Sequence, residues 1–112
     1  MNQLKGKVAI VTGGNGVLGG AIAKGFATEG AKVGIMGRTE ATVNKKVEEI
    51  KATSGEAFPL VADVLDRTQL KACKEAILQK YGHIDILVNA AGGNRKGATI
   101  APDENFFDLS LE

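Results

Sequence analysis

At 112 residues, with 44% hydrophobic and 24% charged side chains, the chain has the size and composition of one soluble globular domain. A net charge of +1 gives no basic footprint for nucleic acid, and a single cysteine excludes an internal disulfide or a cysteine metal site. No signal peptide or long apolar run is apparent, which predicts a cytoplasmic protein with no membrane partner.

The first apolar run, Val8-Ala-Ile-Val11, is continuous rather than alternating, as a parallel strand buried on both faces requires. A glycine-rich turn follows, and then a helical pattern whose inner face is predicted at Leu18, Ile22 and Phe26. Ala21 and Gly25 are expected beside that face, and Gly30 stops the helix. The run from Val33 to Met36 predicts a second strand. Thr39 then caps a helix that turns Val43, Val47 and Ile50 inward and closes at Gly55. A third strand is expected from Ala57 to Ala62. Asp66 opens the third helix, with Gln69 at capping-box spacing, an inner stripe of Leu70, Cys73, Ile77 and Tyr81, and Gly82 at its end. A fourth strand is expected from Ile84 to Val88.

Strands alternating with helices give a parallel sheet with right-handed crossovers. The α/β fold class that fits is a βαβαβαβ, doubly wound Rossmann arrangement with strand order 3-2-1-4. Pro59 checks that order. Proline donates no hydrogen bond to a central ladder, and the third strand is the edge in this arrangement.

The turn Thr12-Gly-Gly-Asn-Gly-Val-Leu-Gly19 carries the chemistry. Gly14, Gly16 and Gly19 satisfy G-x-G-x-x-G between a strand and a helix. Glycine permits a tight turn and a close approach of the backbone to a pyrophosphate. The helix N-terminus then offers unpaired N–H groups and partial positive charge to that anion.

Leu4-Lys-Gly-Lys-Val-Ala-Ile-Val-Thr-Gly13, Asp63-Val64 and Ile84-Asp-Ile-Leu-Val-Asn-Ala-Ala-Gly92 together resemble the short-chain dehydrogenase/reductases over nearly the whole chain. The resemblance implies that Gly13, Asn15, Gly16, Val17, Leu18 and Gly19 surround the pyrophosphate. It implies that Asp63 and Val64 meet the adenine, and that Asn89, Ala90, Ala91 and Gly92 support the sheet beside the nicotinamide ribose. The loop departs from the usual T-G-x-x-x-G-x-G. Val17 stands where glycine is common and Gly16 is the middle glycine, a spacing shared with the extended, sugar-nucleotide-modifying branch. The Asn-Ala-Ala-Gly segment and the short βα units favour the typical branch.

The end of the second strand selects the cofactor. An acidic residue there binds the ribose hydroxyls of NAD, whereas an arginine pairs with the 2′-phosphate of NADP. The sequence reads Met36-Gly37-Arg38-Thr39, so NADP is favoured over NAD.

His83 reads as a surface turn histidine, Tyr81 as a packing residue and Cys73 as a small buried apolar side chain. Tyr81 is followed four places on by Asp85, so it is not the family's Tyr-x-x-x-Lys tyrosine. The serine, tyrosine and lysine that the family uses for hydride transfer are absent, so the chain resembles the dinucleotide-binding half of such an enzyme, inactive by itself. The fourth strand is then expected to be an exposed edge, making the chain poorly stable or prone to pair along that edge.

The loop Gly93-Asn-Arg-Lys-Gly-Ala-Thr-Ile100, with Gly16-Val-Leu-Gly19, resembles that of sugar-acid members that interconvert fructuronate and mannonate, or of the related gluconate dehydrogenases, which implies that Asn94 and Arg95 meet a hydroxylated carboxylate. The family resemblance implies a small-molecule substrate and a homo-oligomeric full-length enzyme. Two other readings stay open on the sequence: an extended-type epimerase or dehydratase, and a non-catalytic dinucleotide-binding module.

Overall fold

In the computed structural model, residues 3–13, 16–53, 55–90 and 99–101 are described. All five residues of β1 (Val8–Thr12) are buried, because this strand lies inside the sheet with helices on both sides. Side chains alternate across it. Val8 and Ile10 enter one core, and Val11 enters the other. β2 (Lys32–Gly37) continues both cores, sending Met36 to the first and Val33 and Ile35 to the second. Each large aliphatic side chain removed from water in this way contributes about 1.5–3 kcal/mol.

β3 (Glu56–Val61) pairs in parallel with β2, and β4 (Ile86–Asn89) pairs in parallel with β1. The four parallel strands therefore run 3-2-1-4, with Pro59 on the edge strand as its missing N–H requires. Gly34 on β2 sits opposite Phe58 of β3. A Cβ there would lie 2.7 Å from Leu60 Cδ1 and 2.8 Å from Phe58 Cε2. The glycine makes room for the Phe58 ring, which packs against Tyr81 with centroids 5.2 Å apart.

The helices are α1 (Val17–Thr28), α2 (Glu40–Thr53) and α3 (Arg67–Tyr81). α2 buries Val43, Val47 and Ile50, and α3 buries Leu70 and Ile77 with Cys73 and Tyr81 partly covered, as their periodicity predicts. α1 is rotated from the expected register. Its buried residues are Gly19, Gly20, Ala23 and Ala27, while Ile22 and Phe26 flank the contact and Leu18 is 50% exposed. Ala21 and Gly25 face outward. The sheet beneath α1 already carries bulky Val11, Val33 and Ile35, so the small residues of the helix meet it and bring the backbone close.

Two expectations for the fourth strand are corrected. Ile84 is buried but precedes β4, and Asp85 uses its side chain as a strand acceptor, taking the Val8 N–H on Oδ2 at 2.9 Å. The Asp85 N–H in turn donates to the Val8 carbonyl at 2.8 Å. The outer edge of β4 is also not open. β5 (Thr99–Ala101), a strand beyond the four predicted from the sequence, pairs antiparallel with it, with Val88 opposite Ile100. Along Leu87, Val88 and Asn89 the edge expected to seek an outside partner is thus paired within the chain.

Candidate functional site

The carboxyl ends of β1, β2, β3 and β4 all point to the same end of the sheet, and the loops that leave them form the site. Gly13 turns the chain out of β1 with a φ of +70°, in the left-handed region that favours glycine. Its N–H donates to the Met36 carbonyl at 2.8 Å, and its carbonyl accepts from the Gly16 N–H at 3.0 Å. This closes a tight turn directly onto α1. A Cβ on Gly16 would stand 3.4 Å from the Gly13 oxygen, an ordinary van der Waals contact, so the turn itself leaves room for a methyl there.

The N-terminus of α1 has no side-chain cap and no acidic residue in its first turn. Its leading N–H groups and the positive end of the helix dipole are therefore unopposed by side-chain charge of this turn. Val17, the first helical residue, is 95% exposed. Gly19 is buried where α1 meets the sheet. Asn15 lies outside the described residues.

Beside this turn a cleft of about 430 Å³ opens between the β2–α2 and β3–α3 connections. Gly37, Arg38 and Thr39 form one wall, and Ala62, Asp63, Val64 and Leu65 form the other. The Ala62 N–H donates to the Gly37 carbonyl at 2.9 Å and ties the walls together at the base. Arg38 is exposed, and no carboxylate among the described residues forms an ion pair with it. Gly37 leaves this wall without an acidic side chain, so the local charge is positive.

The opposite wall is held by α3. Asp66 caps α3, accepting the Gln69 N–H on Oδ1 at 3.1 Å, and the Gln69 amide donates back to Asp66 Oδ2 at 3.1 Å. Capping-box spacing predicts that the Gln69 side chain also accepts from the cap residue's own N–H. Instead, Gln69 Oε1 reaches past it and accepts the Asp63 N–H at 2.7 Å. Asp63 Oδ1 accepts the Leu65 N–H at 2.9 Å, folding the segment into a small turn. Sequence reasoning gave Gln69 only the cap and did not mark Leu65, which is 76% exposed on the cleft lip. The signal for Leu65 is its place directly after Asp63-Val64.

On the β4 side, the Thr12 hydroxyl is fully buried and lies 3.0 Å from Asn89 Oδ1 and 3.3 Å from the Val88 carbonyl. The Ala90 N–H donates to the Thr12 carbonyl at 3.2 Å. Asn89 and Ala90 are thereby fixed next to the glycine turn. Ala91, Gly92, Asn94 and Arg95 lie outside the described residues.

His83 stands away from the cleft walls. Its Nε2 lies 3.0 Å from the Gly6 carbonyl and 3.0 Å from Asp85 Oδ2, while Nδ1 lies 3.1 Å from the Tyr81 carbonyl. It joins the segment before β1 to the segment before β4, a structural task. Burial pushes the Cys73 thiol up from its ordinary range, in keeping with its place against the core. No cluster of His, Cys, Asp or Glu among the described residues is suited to a metal, and no helix among them is long and apolar enough to cross a membrane.

The glycine turn leads into the uncapped N-terminus of α1, and its Gly13 also lines the adjacent cleft. The sequence profile of the short chain dehydrogenase family matches residues 7–111. An uncharacterized oxidoreductase, UxuB, of Bacillus subtilis (strain 168) is 47% identical over 96% of this chain and 41% of its own length. Among solved structures, the hydroxysteroid dehydrogenase of Escherichia coli is 40% identical with a TM-score of 0.76, over 80% of this chain and 37% of that one. A metagenomic short-chain oxidoreductase in complex with NADP is 32% identical with a TM-score of 0.72, over 75% of this chain and 38% of that one. The chain spans well under half the length of the curated relatives it matches.

Proposed function

The chain belongs to the short-chain dehydrogenase family, and on that premise we propose that it holds NADP for hydride transfer between the nicotinamide and a carbonyl or secondary alcohol. The observation that carries the choice of NADP is Arg38, exposed on the cleft wall beside Gly37 and without a carboxylate partner among the described residues. Its guanidinium suits bidentate pairing with a 2′-phosphate, and no acidic side chain at position 37 competes for the ribose hydroxyls.

The remaining assignments follow the walls of the site. Gly13, Asn15, Gly16, Val17, Leu18 and Gly19 form the pyrophosphate turn, where the backbone N–H groups at the start of α1 receive the anion. Asp63 and Val64 meet the adenine. Asn89, Ala90, Ala91 and Gly92 border the nicotinamide ribose. The cofactor, when bound, supplies or accepts the hydride. This chain binds and orients it, and the groups that move the substrate proton are assigned to the part of the protein that the longer relatives carry beyond the matched region.

For the substrate we propose a sugar acid, supported by Asn94 and Arg95 following β4, an amide and a guanidinium suited to hydroxyls and a carboxylate. Calorimetric titration of the chain with NADP and NAD tests the cofactor, with tighter binding of NADP expected and equal or tighter NAD binding contradicting it. Assay of the full-length protein on aldonates, steroids and simple secondary alcohols tests the substrate. Turnover confined to the latter two would contradict it.

A further inference from the structure

We propose that Gln69 is a positioning residue for cofactor recognition, holding the Asp63 carboxylate toward the adenine. The proposal rests on the dinucleotide reading of the cleft and adds a residue outside that set. Three hydrogen bonds converge on the Gln69 side chain and backbone. Asp66 Oδ1 accepts its N–H, its Nε2 donates to Asp66 Oδ2, and its Oε1 takes the Asp63 N–H at 2.7 Å, the shortest of the three. The first bond caps α3, as a capping residue requires. The third contributes nothing to the helix: it anchors the end of the β3 connection, six residues back, to the first turn of α3.

That anchor fixes what Asp63 presents. With its N–H held by Gln69 and its Oδ1 held by the Leu65 N–H, the Asp63 side chain has one oxygen, Oδ2, without a partner among the described residues. An acceptor-only oxygen on a cleft wall suits the exocyclic amino group of adenine, which is a donor. Hypoxanthine carries a carbonyl in that place and offers acceptor to acceptor. The cleft should therefore discriminate between these two bases, and the discrimination should depend on Gln69. Gln69 is itself exposed, so it can be replaced without opening the core.

The test compares binding of NADP with binding of its hypoxanthine analogue by calorimetry, together with the melting temperature of each variant. The wild-type chain is expected to prefer NADP by about five-fold, the worth of one hydrogen bond lost to a mismatched acceptor. Gln69→Met keeps the length of the side chain but removes both of its polar contacts, and should bring the ratio close to one. Gln69→Glu keeps an oxygen for the Asp63 N–H and should restore most of the preference, even if the melting temperature falls through repulsion from Asp66. A purely structural role would lower affinity for both nucleotides equally. An unchanged ratio in Gln69→Met, or one lost equally in Gln69→Glu, would overturn the proposal. If the wild-type chain binds neither nucleotide, the dinucleotide reading itself fails. If it binds both without preference, only the role of Asp63 and Gln69 fails.

Discussion

The Thr12 hydroxyl lies 3.0 Å from Asn89 Oδ1, joining the last residue of β1 to the last residue of β4 at the floor of the site. Thr12 is fully buried and Asn89 half-buried, so an isosteric Thr12→Val replacement leaves the Asn89 oxygen without that donor. The expected loss is about 1–3 kcal/mol of stability, read from the urea midpoint. Thr12→Ser keeps the hydroxyl and should lose much less. Equal losses in the two variants would assign the effect to packing of the methyl group instead.

Gly34 gives a second prediction, about packing. An added methyl would approach Leu60 and the Phe58 ring to less than 3 Å. Gly34→Ala should therefore destabilise the chain by about 1–3 kcal/mol, although alanine otherwise suits a strand better than glycine. The displaced Phe58 ring should also alter the fluorescence of Tyr81, its partner at 5.2 Å and the chain's sole tyrosine. A stabilised variant with unaltered fluorescence would contradict this.

The parts of the fold are unequally legible in the sequence. Strand order followed from the alternation of elements and from Pro59, because both rest on backbone chemistry that tertiary contacts do not override. The face of α1 did not. Periodicity selected Leu18, Ile22 and Phe26 as the large apolar side chains, but a helix lying close over a bulky sheet presents Gly19, Gly20, Ala23 and Ala27. Small residues carry little hydrophobic signal even where they make the contact. β5 was hidden for a related reason, since a three-residue strand is too short for a pattern. In the site, Gly13, Arg38, Asp63 and Val64 were named from the sequence and line one cleft. The hold of Gln69 on Asp63 was not legible, because its spacing is that of an ordinary capping box and the contact depends on how the β3–α3 turn folds.

Cys73 provides a prediction in pH. Burial alone raises its thiol, so the neutral form is favoured in the folded chain. At pH 8 it should react with iodoacetamide more slowly than a thiol in a short peptide, and the rate should climb only at higher pH. By linkage, its contribution to stability is complete below the unfolded thiol's titration and is lost as pH rises through the folded one. Peptide-like reactivity at pH 8 in the native chain would contradict its placement against the core.

Arg38 provides the most direct measurement. Dissociation constants for NADP and NAD, taken side by side for the wild-type chain and Arg38→Ala, report whether this guanidinium reads the 2′-phosphate. Loss of a charge-assisted bidentate pair should weaken NADP by about ten-fold or more and NAD by less than about two-fold. Equal weakening of both cofactors, or a wild-type chain that binds NAD more tightly, would contradict the assignment.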